Sequence, residues 1–437
     1  MNDTSRYIVF VVLMLIILLL QPVYLKWLGY SSDAVLDEEK LLGNADSHIV
    51  SGPKKNQEPV STKQNYLAET HVHESLITVV APLYTATLTN KGGGSIVDYT
   101  LTQKKSGKYK YLGGFNGQGL FRSDAPVSLV VPSNNSCQPC LAYYDDREDQ
   151  YHLINQPFQI SSFSGREDTL FLEPGGSLQL QYDLYDDNGQ IAVNKTVTFF
   201  SDNYISNHDF IVNDDFFNYS NSLELLWSGG LRPSEEDYNE DVQYGSGIIS
   251  LGGEIDDIQT TNPDKNISRQ IFNGQTDWSA IRTKYFLMAL LPDAPGSFAT
   301  LSAENINFGA RKQTPIYSAS IGFPLVVSSF SSRLYLGPLD IDHISITDSS
   351  LGATMNWGWI IIRPISKGIL WVLKYMHNAF HLNYGLVLLL FAILVRLVTG
   401  PLTKKSFESS QKMQKLQPEI KKIQEKYKND PQRLNRE

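Results

Sequence analysis

The sequence is poor in the residues that metal, redox and nucleotide chemistry require. Its 437 residues hold two cysteines, Cys137 and Cys140, too few for a disulfide-stapled scaffold or a thiolate metal site. Eight histidines are scattered along it. His71 and His73 would share a strand face, but no carboxylate or third ligand stands at a workable spacing, so neither a metal nor another cofactor is expected. No glycine-rich phosphate cradle is present. The acidic groups Asp145-Asp146 and Glu235-Glu236-Asp237 read as solvated loops, because nothing sets two carboxylates apart for acid–base work. An enzyme is not expected, nor is direct contact with nucleic acid. Long apolar runs are missing from the whole middle of the chain and are confined to Met1–Lys26 and Trp357–Leu402.

What is present is an uneven distribution of charge. The net charge of −9 hides two opposed pieces: Trp27–Ser350 carries 21 Lys and Arg against 40 Asp and Glu, whereas Pro401–Glu437 carries ten basic residues against five acidic ones. Short Lys/Arg-rich segments beside a membrane span stay cytoplasmic, while large domains are translocated regardless of charge. The tail is therefore expected inside and the acidic middle outside.

Residues 1–6 make a short cytoplasmic start. Tyr7–Leu20 (YIVFVVLMLIILLL) is apolar, and Gln21-Pro22-Val23-Tyr24-Leu25 after it offers no small-x-small cleavage site. Residues 7–25 read as an uncleaved signal anchor, the alternative being a cleaved signal with an atypical site. Residues 26–65 are too polar to offset their ordering entropy and read as a flexible linker. From about Leu76 the apolar residues recur at period two. Tyr84–Thr89 and Ser95–Leu101 flank Asn90-Lys91-Gly92-Gly93-Gly94, and Leu178, Leu180, Tyr182 and Leu184 lead through Asp187-Asn188-Gly189 to Ile191, Val193, Val197 and Phe199. Residues 66–350 thus read as a large antiparallel β-sandwich. Cys137-Gln138-Pro139-Cys140 falls in a loop between strands, without the helix that a thioredoxin-type site needs after it. Outside the cytoplasm a short structural disulfide is the expected state.

Over residues 357–380, Ile361, Ile362, Ile365, Ile369, Val372, Leu373 and Met376 fall on one side at helical spacing, and Arg363, Lys367 and Lys374 on another. Trp357, Trp359 and Trp371 supply rings suited to the headgroup zone. This reads as a helix lying on the outer membrane surface, against the alternative of a helix packed on the sandwich. Residues 384–402 are long enough to cross a bilayer core, and Arg396 lies inside them. An Arg at mid-bilayer costs at least about 2.5–3.5 kcal/mol on insertion scales, so it should face a partner or a wet cavity unless it snorkels to the interface about 9 Å away. In residues 403–437, Lys404, Lys405, Lys412, Lys415, Lys421 and Lys422 accompany Met413, Leu416, Ile420, Ile423 and Tyr427 at 3-4 spacing, as in a basic helical hairpin. Pro418 is expected to kink or restart its first helix. Asn429-Asp430-Pro431 would open a second helix that has barely begun at Glu437, as in a fragment of a longer protein.

Several of these stretches carry a resemblance: Leu88-Thr89-Asn90-Lys91-Gly92-Gly93-Gly94, Tyr335-Leu336-Gly337-Pro338, Asn356-Trp357-Gly358-Trp359, Val395-Arg396 with Gly400-Pro401-Leu402-Thr403-Lys404, and Met413-Gln414-Lys415-Leu416-Gln417-Pro418. Together with the N-terminal anchor they resemble the YidC family of bacterial inner-membrane protein insertases, in the Gram-negative form with a large periplasmic domain. The match spans the architecture of the chain and is closest in sequence over the last hundred residues. It implies a multi-pass inner-membrane protein with a cytoplasmic N-terminus. It also implies a chaperone-like role, in which a hydrophilic groove open to cytoplasm and lipid holds an Arg that attracts the polar parts of nascent integral membrane proteins. Arg396 matches that Arg by its context. The cytoplasmic hairpin would meet the ribosome or targeting factors, beside the Sec translocon and membrane lipid, and the remaining groove walls would lie beyond Glu437. The family's periplasmic domain resembles sugar-mutarotase-like sandwiches. A membrane-anchored carbohydrate-binding or mutarotase-like domain is therefore the alternative; it would need a His/Glu pair in a cleft and leaves Arg396 unexplained.

Overall fold

The computed structural model describes residues 72–426, apart from 117, 132–136, 163–167, 187, 214–216, 218–219, 261–265, 309–310, 325–327 and 359–360. The anchor expected at 7–25, the linker at 26–65, Trp359 and the turn at Asn429–Pro431 lie outside the described residues. The rest falls into two compact units, one up to Asn356 and one from Trp357.

The first unit is mostly β. Its strands are β1 (Leu76–Val80), β2 (Tyr84–Thr89), β3 (Ser95–Leu101), β4 (Lys104–Lys105), β5 (Lys108–Tyr109), β6 (Cys140–Asp145), β7 (Gln150–Ile154), β8 (Gln159–Ile160), β9 (Thr169–Phe171) and β10 (Ser177–Tyr185). They continue with β11 (Ile191–Phe200), β12 (Ile205–Val212), β13 (Ser222–Trp227), β14 (Ser246–Leu251), β15 (Glu254–Ile258), β16 (Ile267–Arg282), β17 (Phe286–Pro292), β18 (Gly296–Phe308), β19 (Arg311–Pro324) and β20 (Ser329–Pro338). A four-stranded sheet runs β3-β2-β1-β9. A fourteen-stranded one runs β7-β6-β13-β19-β18-β16-β17-β20-β12-β11-β10-β8, with β14 and β15 attached through β16.

Pairing within the large sheet is antiparallel, and the period-two pattern sets its register. On the β10–β11 hairpin, Leu180 faces Val197 and Leu184 faces Val193, all four buried. A one-residue slip would turn each of them to water. Gly189 closes this turn at φ +76°, with the Asp186 carboxylate accepting the amides of Asn188 and Gln190. A ladder this long cannot stay flat. Lys195 on β11 reaches the carbonyl of Pro139, next to β6 in the other half of the ladder, so the sheet is folded over on itself in a sandwich-like arrangement. One core is shared by the four-stranded sheet, through Tyr84 and Tyr99, and by the large sheet, through Phe199, Trp227 and Trp278.

Short helices appear where the sequence reading has none. α1 (Tyr238–Tyr244) is capped by Asp237, and Glu236 and Asp237 stand exposed in the bend before it, solvated as expected. α2 (Ile341–Thr347) and a 3-10 turn (Ser349–Thr354) close the unit. Ile344 and Leu351 enter the core, while Arg333 donates to the carbonyl of Thr347 at 2.7 Å, Trp278 to the hydroxyl of Ser350 at 2.9 Å and Arg282 to the carbonyl of Thr354 at 2.6 Å. Asp145, expected to be solvated, is buried instead. Burial pushes its carboxyl up, but the side chain and amide of Arg147 and the amide of Glu148 hold it below the usual range.

The second unit is helical. α3 (Arg363–Phe380) begins six residues later than the expected start at Trp357, with Pro364 in its first turn, where a missing N–H costs nothing. His381 leaves the helix at φ +49°, and the Asn383 side chain caps α4 (Tyr384–Lys426) by accepting the amide of Leu386 at 2.9 Å. α4 is one helix of 43 residues with Pro401 and Pro418 inside it. The expected restart at Pro418 does not occur. Each proline forfeits one backbone bond, and around Pro418 the flanking turns, rich in Leu, Lys, Gln and Glu, favour helix on both sides.

Candidate functional site

Tyr384–Pro401 is the helical stretch, among the described residues, that is long and apolar enough to cross a membrane, and its leucines and valines are almost all exposed. Arg396 lies inside it, exposed, with no hydrogen bond or ion pair among the described residues. At 100° per residue, Ala392, Thr399, Gly400 and Thr403 lie within about 60° of Arg396 around the helix. Leu389 and Ile393 share this arc one to two turns earlier. Thr399 and Thr403 return their hydroxyls to the carbonyls of Val395 and Thr399, at 2.8 and 2.9 Å, which keeps their polar atoms satisfied without water. The side of α4 that carries the guanidinium is therefore its least bulky and most polar side. The described residues form no groove around it.

No residue of α3 is fully buried: Ile365 and Ile369 of its apolar row are exposed, whereas Val372, Leu373 and Met376 are half-buried. Trp371 stacks on Tyr375 at 5.7 Å, and the Lys367 ammonium stands 5.5 Å from the ring of Trp357. The three-residue turn to α4 is tightened by His377, whose Nδ1 lies 2.6 Å from the carbonyl of Leu382 and whose ring stacks on Tyr384 at 4.2 Å. Lys404, Lys412 and Lys415 lie on the exposed surface of α4 beyond the apolar stretch. Lys405, Lys421 and Lys422 belong to the same helix, but their side chains are outside the described set.

Cys137 and Cys140 form a disulfide in the β-domain, both fully buried, and Cys140 opens β6 rather than lying in a loop. Beside it is a cluster that the sequence reading did not single out. Lys195 is 0% exposed, donates to the carbonyls of Gly92 at 3.2 Å and Pro139 at 2.8 Å, and burial lowers its pKa to about 7. Tyr182 is its cross-strand neighbour, and the Tyr182 hydroxyl has no partner among the described residues. His208 is buried too, 2.9 Å from the Ser206 hydroxyl; burial, then the nearby Lys195, holds its imidazole well below the usual range. Gly92, Gly93 and Gly94 all have positive φ. A Cβ on Gly94 would stand 2.6 Å from the Tyr182 ring, so the turn closes over Lys195 and Tyr182 only as glycine. Across the sheet, the buried Glu224 accepts from Arg269, from Tyr151 at 3.1 Å and from Ser320 at 2.7 Å, and Arg269 lies 4.8 Å over the Tyr151 ring. The signal for both was available: Lys195 occupies the inward register between Val193 and Val197, and Glu224 that between Ser222 and Leu226. No partner of Glu224 is an imidazole, and no group of three potential metal ligands occurs among the described residues.

Two family models match the chain: one described as "YidC periplasmic domain" over residues 76–372, the other as "60Kd inner membrane protein" over residues 375–437. Curated relatives named membrane protein insertase YidC are similar in sequence. The one from Chlorobium limicola is 28% identical over 372 residues, covering 83% of this chain and 59% of the relative. That from Prosthecochloris aestuarii is 34% identical over 248 residues, 55% of this chain and 42% of the relative. The chain thus spans little more than half the length of the relatives it matches. Among solved structures, 4-alpha-glucanotransferase from Thermococcus litoralis aligns with a TM-score of 0.30 at 11% identity, over 64% of this chain and 40% of that one. A superposition that loose says nothing about activity. The family models together account for nearly every residue from β1 onward, and on that ground this chain belongs to the YidC family of membrane protein insertases.

Proposed function

We propose that the protein of which this chain is part inserts nascent integral membrane proteins into the bacterial inner membrane and assists their folding. In this reading α4 crosses the bilayer with its basic end in the cytoplasm, α3 lies in the outer headgroup zone, and the β-domain is periplasmic. The one observation that carries it is Arg396, an unpaired guanidinium on the small, hydroxyl-bearing side of an otherwise apolar helix. In hydrocarbon such a group needs a polar partner. An incoming chain with acidic or polar stretches supplies one, and a wet pocket lowers the cost of carrying those stretches through the bilayer. Further helices from the rest of the protein would close that pocket. The exposed lysines beyond Pro401 suit contact with the ribosome or targeting factors, and action beside the Sec translocon belongs to the same reading. No bond is made or broken; the work is differential solvation.

Replacing Arg396 with Ala in the full-length protein tests this. Insertion of a substrate into proteoliposomes, read by protease protection, should fall sharply, and Arg396→Lys should retain much of it because a cation remains. Undiminished insertion by Arg396→Ala would remove the role assigned to this residue.

A further inference from the structure

The β-domain is strongly acidic, yet one of its exposed hairpins is basic. β4 and β5 carry Lys104, Lys105 and Lys108, with Lys110 one residue past β5, all within seven residues; the hairpin is turned by Ser106 and Gly107 at φ +53° and +79° and closed where the Lys110 amide meets the carbonyl of Gln103 at 2.8 Å. Every residue from 104 to 110 is exposed. In a domain with about twice as many carboxylates as cations, none of these four ammonium groups pairs with a carboxylate among the described residues. Lys104 lies 5.2 Å over the ring of Tyr109, and Tyr109 and the neighbouring Leu112 add exposed apolar surface. Charge acts within about 10 Å at ordinary salt, so the local excess, not the net charge of the domain, decides what this hairpin attracts. Cations interleaved with an aromatic and an aliphatic side chain are the chemistry of a membrane interface.

The place of the hairpin in the fold fits that partner. Tyr204 donates to the side chain of Gln103, at the hairpin root, at 3.2 Å, and the same ring meets His343 of α2 edge-on at 5.1 Å. α2 is the last helix of the domain, and its Ile346 is 74% exposed. The hairpin root and the final helix before the chain enters the membrane-associated unit are thus held by one buried tyrosine.

We propose that the β4–β5 hairpin is a lipid-docking element whose four lysines seat the β-domain on the anionic phospholipid headgroups of the bilayer. The inference rests on α4 crossing that bilayer. Both can be tested on the full chain reconstituted in nanodiscs of phosphatidylcholine alone, or of phosphatidylcholine and phosphatidylglycerol in equal parts. Quenching of a fluorophore on Leu394→Cys by lipids carrying a quencher in their acyl chains reports the α4 span by itself in either disc, which co-purification would not, because residues 7–25 are also expected to anchor the chain. An environment-sensitive fluorophore on Ser106→Cys reports the hairpin, since both native cysteines are held in the disulfide. The emission should shift to the blue only with phosphatidylglycerol and return with added salt. Lys→Gln at all four positions should abolish the shift, each lysine being worth about fivefold in the contact equilibrium. The thermal unfolding of that variant should be unchanged, because the hairpin lies outside the core. Equal emission in the two discs, an unchanged shift in the four-lysine variant, or a shift that ignores salt, as a contact with a second copy of the chain through apolar surface would give, each overturns the proposal.

Discussion

Replacing Lys195 with Met should change how the stability of the β-domain depends on pH more than it changes the fold. The ε-amine is fully buried, held by two carbonyls, and burial brings its pKa down to about 7. In the unfolded chain it titrates near 10.4. Between those values the unfolded state binds a proton that the folded state does not, so stability rises with pH across the window and is lost as pH falls toward 7. From about pH 7 to about pH 9 the linkage amounts to about 2 kcal/mol. The window stops there because burial pushes the Tyr84, Tyr182 and Tyr335 phenols up, and ionisation of tyrosine in the unfolded chain works against folding at higher pH. Urea unfolding of the unit 54–356, which has its own core, can be followed by the buried Trp227 and Trp278. The wild type should gain about 2 kcal/mol relative to Lys195→Met over this range, all other titrations cancelling in the difference. Parallel pH curves for the two proteins would show that the amine is not held neutral and would refute the argument.

Two further predictions concern the same domain. Arg269→Met strands the Glu224 carboxylate, which is almost fully buried, and should cost about 3–5 kcal/mol, whereas Glu224→Gln leaves a cation that is about a third exposed and should cost about 2 kcal/mol; equal losses in urea titration would contradict the burial asymmetry. Gly94→Ala meets both a left-handed backbone and the Tyr182 ring, and should cost about 3 kcal/mol. Gly107→Ala has the same backbone strain with open space around it and should cost about 1 kcal/mol. Near-identical melting temperatures for the two would show that the ring does not confine the turn.

The legible parts of this chain were those with one dominant period. The β10–β11 hairpin follows directly from alternation and Asp-Asn-Gly, and α3 from its row of isoleucines, because in each case one local period sets which residues share a face. Punctuation was less reliable: of the kink or restart that Pro418 suggests, the restart is absent, and the helix runs through to Lys426. The inward charges were missed for a different reason. Lys195 sits in register between two valines, and His208 and Glu224 each between a serine and an apolar residue, but whether an inward cation or carboxylate finds a partner depends on strands distant in sequence, and no local pattern reports those partners.

The sequence alone determined the sign and placement of charge, the apolar stretch with its single Arg, the amphipathic helix before it and the β character of the middle, all of which depend on neighbours a few residues apart. Tertiary structure decided which strands of a fourteen-stranded ladder meet when it folds over, and so which carbonyls hold Lys195 and which side chains enclose Glu224. It also decided that the basic hairpin and the last helix of the domain share Tyr204. Those contacts join residues about a hundred or more positions apart in several cases, and their energy is set by burial, which exists only once the chain has closed on itself.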